Sequence, residues 1–265
     1  MGIVYTISNQ KGGCGKTTLT LNLGVSLTRK GYKVCIIDLD PQANATMALG
    51  HSQPDELPVT IADIIEAILK PDFKIDKSEL IQNREYILHS QGLDFIPSNI
   101  RLADVESRLL NAISRETALK KLVKHIRNDY DFILIDTMPS LNFVTVNGLN
   151  AADKVLIPTQ PQFFSAKGLE LLLATIGQVR EELNPSLEIA GILVTMYDGR
   201  MNFNKNIVTT LNELYGEYVR IFETKIPVSI RVTETQAIAT SIFDHDPNGR
   251  IAGSYAAFAD ELLRS

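Results

Sequence analysis

The chain has 265 residues, 45% of them hydrophobic and 22% charged, with a formal net charge of −5. It is long enough to bury a large core, and its acidity excludes a uniformly basic nucleic-acid coat while leaving room for a local basic patch. No apolar run approaches the ~20 residues that span a bilayer. Two cysteines, Cys14 and Cys35, make no disulfide framework and suit a reducing cytoplasm, and the four histidines show no ligand spacing.

The first element sets the rest. Ile3 to Ile7 is a short apolar run that reads as a buried strand and leaves no room for a signal peptide. Ser8 to Thr18 follows as SNQKGGCGKTT, and Leu19, Leu23 and Leu27 then recur at helical spacing up to Arg29. Strand, glycine-rich loop and helix in that order form a phosphate-binding unit. Gly12, Gly13 and Gly15 allow backbone conformations closed to other residues, so successive amide N–H groups can converge on a phosphate. A helix starting near Lys16 adds its positive end. Lys16 is placed to reach the β/γ-phosphates, Thr17 to ligate Mg²⁺ and Thr18 to bond the α-phosphate, while Cys14 fills the loop. A standard GxxxxGK[ST] loop has glycine at position 10. Here Gln10 stands there, and a second lysine, Lys11, opens KGGCGKT.

Val34 to Ile37 is the next strand, ending in Asp38 and Asp40, which alternation puts on one side. Carboxylates at a strand's C-terminal end lie at the ligand edge of a parallel sheet. Thr60 to Leu69 reads as a helix with a capping-box-like Thr60/Asp63 pair, and Pro71 ends it. Tyr86 to Leu88 and Leu93 to Ile96 read as strands around a turn at Gln91-Gly92. Leu102 to Leu110 and Thr117 to Ile126 read as helices. Asp131 to Ser140, DFILIDTMPS, has the form of a strand delivering Asp136 to hold Mg²⁺ through water beside Thr17. Further along come a helix at Asn142 to Ala152, a strand at Lys154 to Pro158, a helix at Ser165 to Leu183, a strand at Ile189 to Thr195 and a helix at Phe203 to Tyr215. A short strand at Lys225 to Ile230 and a last helix at Ile251 to Leu263 complete the chain. Loops around Met196 and Pro227, at the C-terminal edge of late strands, are the expected adenine contacts. The unbroken alternation of strand and helix predicts one doubly wound α/β domain over residues 1–265, with a mostly parallel sheet.

KGGCGKTT, DLDPQAN (with Asp38 and Asp40), GLDFIPSNIRLADVE, FILIDTMPS and TMYDGR together resemble the ParA/Soj-type partition ATPases, a deviant Walker A group within the ParA/MinD superfamily. The resemblance covers essentially the whole chain. It implies a P-loop NTPase fold, ATP and Mg²⁺ as ligands, and a homodimer in the ATP state in which Lys11 reaches the partner's phosphates. It also implies that Asp40 activates water, Asp38 sits near the metal, and Arg200 and Arg231 contact nonspecific double-stranded DNA, helped by Arg220 and Arg250. A ParB-type centromere-binding protein would stimulate hydrolysis, in a cytoplasmic, nucleoid-associated cycle. Some positions depart from the pattern: Met138 stands where proline is frequent, Val228 where a basic residue is common, and Ala239 where glycine is usual. The loop begins at residue 11, so the helix-turn-helix domain of larger plasmid relatives is not expected, nor is operator-specific repression. Two relatives compete. A MinD-like membrane-surface ATPase shares the site but needs a basic amphipathic C-terminal helix, and AAFADELLRS has one basic and two acidic residues. An iron–sulfur protein related to the nitrogenase iron protein needs a cysteine pair at the dimer axis, where Cys14 and Cys35 do not fit.

Overall fold

The structure is a computed structural model that describes residues 1–110, 112–113, 115–162 and 165–264. Its strands are β1 (Ile3–Ile7), β2 (Val34–Leu39), β3 (Leu88–Ser90), β4 (Leu93–Ile96), β5 (Phe132–Thr137), β6 (Lys154–Thr159), β7 (Glu188–Tyr197) and β8 (Ile221–Pro227). They form one sheet in the order β3-β4-β2-β5-β1-β6-β7-β8. All neighbours pair in parallel except the β3/β4 hairpin at one edge.

The central strands are buried on both faces, which is why they read as continuous apolar runs rather than alternating ones. Alternation survives in where each side chain goes. Tyr5, Ile7, Val34 and Ile36 pack with the Lys16–Arg29 and Arg250–Leu263 helices on one face. Val4, Cys35, Ile37 and Leu39 pack on the other face with the helices Ile61–Ile68, Leu102–Leu109, Ala118–Ile126, Phe143–Ala151 and Ser165–Glu182. Two cores on one sheet make the doubly wound α/β architecture. Since β1 is flanked by β5 and β6, the chain reverses its direction of travel across the sheet at β1. The crevice at that reversal, outside the C-terminal strand ends, is where such sheets bind ligands.

Several boundaries differ from the sequence expectation. The strand expected at Tyr86 to Leu88 lies instead at Leu88–Ser90, because Ile87 N–H closes a turn onto the Arg84 carbonyl and Tyr86 is fully buried as a core residue. The strand expected at Lys225 to Ile230 runs from Ile221 to Pro227, and the chain turns at Ser229, whose side chain accepts from Arg231 N–H and starts a helix at Ile230–Ala237. The short helices Asn44–Ala48 and Ile242–His245 carry no periodicity long enough to be read from sequence. The Thr60/Asp63 cap forms as expected, with the Asp63 carboxylate accepting from Thr60 N–H at 2.8 Å.

Candidate functional site

The loop after β1 wraps the start of the Lys16–Arg29 helix. Gly13 and Gly15 have φ of 70° and 87°, the left-handed region that a side chain would strain, and Gly15 is the residue from which the helix begins. The loop's carbonyls are tied down by the neighbouring strands. Gln160, just past β6, donates to the Gly13 carbonyl at 2.7 Å, and Thr195 on β7 donates to the Cys14 carbonyl at 2.8 Å. Asn9 braces the base, donating to the Pro158 carbonyl and accepting from Lys11 N–H. With the carbonyls engaged by the protein, the loop amides are the groups left for an anion. The Cys14 side chain is fully buried and burial raises its thiol pKa, so it is an inert filler.

Lys16 is nearly buried and donates to the Asn9 carbonyl at 3.0 Å and the Lys11 carbonyl at 3.3 Å, curled over the loop it belongs to. Lys11 donates to the Gln162 side chain, past β6. Thr17 Oγ1 donates to Asp136 Oδ2 at 2.7 Å, and Thr20 Oγ1 donates to Asp136 Oδ1 at 3.1 Å.

Three carboxylates converge on this edge, each in a different environment. Asp136 is fully buried, and burial pushes its pKa up to about 6 against the pull of Thr17, Lys16 and Thr20. Asp38 lies in register beside it on β2. Burial first, then the Asp136 charge, pushes Asp38 up to about 8. Its Oδ2 accepts from both the backbone N–H and the hydroxyl of Thr46, at 2.8 and 2.7 Å, so Asp38 pins the Asn44–Ala48 helix. Asp40 is nearly buried, accepts from Gln42 N–H at 2.9 Å, and is raised by burial despite that bond and nearby Lys16.

A cavity of about 500 Å³ opens over the loop. Gly12, Gly13, Gly15, Lys16, Thr17, Thr18 and Asp40 line it, together with Met196, which holds a left-handed φ of 51°. Its other walls are Asn44, Met47, Ala48, Pro139 and Gln236. Met47, Ala48 and Gln236 carry no motif signal and were invisible in the sequence. Asn44 and Pro139 were visible only as members of the DLDPQAN and DTMPS segments. Five expected residues lie outside the lining: Lys11, Cys14, Asp38, Asp136 and Pro227. Asp38 and its hydrogen bonds sit beneath the floor. Pro227 ends β8, three strands from β1 at the sheet's edge, beside Tyr197.

Among the described residues there is no group of three or more His, Cys, Asp or Glu side chains set to hold a metal. A hydroxyl and one carboxylate in contact, Thr17 and Asp136, are hard oxygen donors that fit Mg²⁺, which takes most of its shell from water and phosphate.

The expected DNA-contacting arginines are exposed and ion-paired close to home. Arg200 reaches Asp198 at 2.7 Å, and Arg231 reaches Glu234 at 3.0 Å. Arg250 and Val228 share a surface depression with Arg200. Arg220 is not part of that surface. It precedes β8, so it sits at the opposite, N-terminal edge of the sheet, 3.5 Å from Glu261 and over the Phe222 ring at 4.9 Å.

Residues 2–189 match the family model described as an AAA domain. The chain is 36% identical to the sporulation initiation inhibitor protein Soj of Bacillus subtilis, over 99% of this chain and 98% of that one. It is 35% identical to the chromosome partitioning protein ParA of Myxococcus xanthus, over 100% of this chain and 89% of that one. Among solved structures, cobyrinic acid a,c-diamide synthase of Mycobacterium smegmatis, bound to an ATP analog and magnesium, superposes with a TM-score of 0.83 at 31% identity, covering 100% of this chain and 95% of that one. The name of that enzyme assigns it a different reaction, and the likeness lies in the fold and the loop-centred architecture. With a family match over most of its length and end-to-end likeness to Soj and ParA around a loop built for ATP and Mg²⁺, the chain belongs to the ParA/Soj-type P-loop ATPases.

Proposed function

We propose that this ATPase partitions DNA: its ATP-bound homodimer holds nonspecific double-stranded DNA, and a ParB-type partner on the cargo triggers hydrolysis and release. The observation that carries this reading is that both exposed arginines lie on segments that also wall the nucleotide cavity. Met196 is the penultimate residue of β7 and Arg200 lies three residues past that strand's end, while Gln236 and Arg231 share one helix. A nucleotide that orders those walls therefore acts on the arginines directly.

Phosphoryl transfer needs positioning and charge stabilisation more than covalent chemistry. Lys16 neutralises phosphate charge from its place in the loop. Lys11 does so across the dimer, leaving Gln162 to reach the partner's nucleotide. Asp40, on the cavity wall, orients the attacking water. Thr17 and Asp136 hold Mg²⁺, with Asp38 bracing the segment behind them. When bound, the metal supplies positive charge to the β/γ-phosphates. Met196 contacts the base. Arg200 and Arg231 meet DNA phosphates, a sequence-independent and salt-sensitive contact, which implies a nucleoid-associated cytoplasmic protein.

The alternative is a MinD-like membrane-surface ATPase. Against it stands the last helix, Arg250–Leu263, whose apolar residues Ile251, Tyr255, Phe258 and Leu262 are buried in the core and leave no face for a bilayer. The deciding experiment is binding to a nonspecific DNA duplex with ATP, ADP or no nucleotide across a salt series. Tight, salt-sensitive binding with ATP alone supports partitioning. Absence of DNA binding, with ATP-dependent sedimentation on anionic liposomes instead, would replace it with the membrane reading.

A further inference from the structure

Gln236 belongs to no motif, yet it meets the phosphate loop from outside. Its Nε2 donates to Thr18 Oγ1 at 3.1 Å, joining the Ile230–Ala237 helix to the first turn of the Lys16–Arg29 helix. The direction of this bond matters. A hydroxyl has one proton and two lone pairs. With a lone pair of Thr18 Oγ1 occupied by Gln236, the hydroxyl's proton is left for an acceptor in the cavity, which both residues line.

The link does not stand alone. Thr18's carbonyl accepts from Asn22 Nδ2 at 2.9 Å, and Asn22 Oδ1 accepts from Ile242 N–H at 3.0 Å. From the turn between β3 and β4, Gln91 Nε2 donates to the Ala48 carbonyl at 3.1 Å and the Ala239 carbonyl at 3.4 Å. The stretch from Gln236 to Ile242 is thus tied both to the phosphate loop's helix and to the Asn44–Ala48 wall. Arg231 lies five residues before Gln236, on the same helix.

We propose that Gln236 is a positioning residue for nucleotide binding. It orients the Thr18 hydroxyl toward a nucleotide phosphate, and through the same bond nucleotide occupancy fixes the helix that carries Arg231. Because coupling between two sites is reciprocal, whatever Gln236 contributes to nucleotide affinity, the nucleotide returns as order in that helix. The proposal rests on the phosphates lying at Thr17 and Thr18. That placement is checked separately by loss of ADP binding in Lys16→Ala.

The test is a double-mutant cycle of Gln236→Ala and Thr18→Val, read by calorimetric titration with ADP and with a non-hydrolysable ATP analogue in Mg²⁺. Gln236 is exposed, so its removal leaves the core intact, and thermal melts of each apo variant check this. Gln236→Ala is expected to weaken both nucleotides about three- to tenfold, the worth of one neutral hydrogen bond. In the Thr18→Val background the same change should have no effect. Gln236→Glu, which has no N–H to donate, should weaken binding at least as much. Hydrogen exchange should show residues 230–240 gaining protection on nucleotide binding in the wild type but not in Gln236→Ala. Unchanged affinity in Gln236→Ala, or losses that simply add in the double variant, would overturn the proposal.

Discussion

Thr17 Oγ1 donates to Asp136 Oδ2 at 2.7 Å across 119 residues of sequence, joining the phosphate loop to the end of β5. The bond arises because β1 and β5 pair in parallel register, Ile7 opposite Asp136, so that the loop leaving β1 and the carboxylate ending β5 emerge at one edge. Thr17→Ala removes both this partner of the carboxylate and the metal-facing hydroxyl. It is expected to lower kcat by about 10² or more, the scale of losing one transition-state electrostatic contact, and to abolish the Mg²⁺ dependence of nucleotide affinity. Titrations with and without Mg²⁺ check this, and an unaltered Mg²⁺ dependence would remove Thr17 from the metal site.

Asp40 and Lys16 divide binding from chemistry. Lys16→Ala should lose nucleotide affinity altogether. Asp40→Ala should keep the affinity, trap the ATP state and lower hydrolysis by about 10² to 10⁴, the range for a positioned proton acceptor. Single-turnover hydrolysis alongside nucleotide affinity separates the two. A loss of affinity in Asp40→Ala equal to its loss of rate would make Asp40 a binding group instead.

Asp38 supplies a pH prediction. Its pKa is raised by burial, and next by the Asp136 charge, from 3.8 to about 8. Between those values the folded protein keeps a proton that the unfolded chain has released. The associated stability is therefore fully present below about pH 4 and is lost as pH rises through about 8. Asp38→Asn removes the titration while keeping an oxygen for Thr46. Without nucleotide, the variant should gain on wild type as pH rises from 6 to 8.5, by on the order of 1 kcal/mol or more, since one pKa unit is ~1.4 kcal/mol. Urea melts across that range test it, and parallel curves for the two proteins would show that Asp38 is already ionised at pH 6.

What the sequence revealed follows the same physics. β1, β2 and β5 were legible because both their faces are buried, and the loop because glycines and lysines at fixed spacing have few other uses. The Ile230–Ala237 helix was not. RVTETQA has no apolar stripe, Thr235 is its one buried residue, and the helix is held by a local cap from Ser229 and by Gln236 on Thr18, a contact made across the fold. The first half of β8 escaped for a related reason. The carboxylate of Glu261, from the last helix, accepts from the N–H groups of Glu223 and Thr224, so that strand is completed by a residue far along the chain. Gln236 and Met47 reach the cavity only through such placements, and no local pattern marks them.

The last prediction concerns the arginines. Arg200 is clamped by Asp198, whose pKa that pairing lowers to about 2, so the carboxylate is charged at any physiological pH and competes with phosphate for the guanidinium. Arg200→Ala and Arg231→Ala should each weaken DNA binding in the ATP state and each reduce the salt slope by about one. Asp198→Asn should do the opposite, because the arginine keeps its place while losing its internal counter-charge. Affinity should rise, most at low salt, where exposed charges are least screened. Fluorescence anisotropy with a labelled duplex, from low to physiological salt, reads all three variants. If Asp198→Asn weakens binding, the carboxylate holds Arg200 in its DNA-facing pose. If it changes nothing, while Arg200→Ala is also silent, the DNA surface lies elsewhere on this edge, with Arg250 the next to replace.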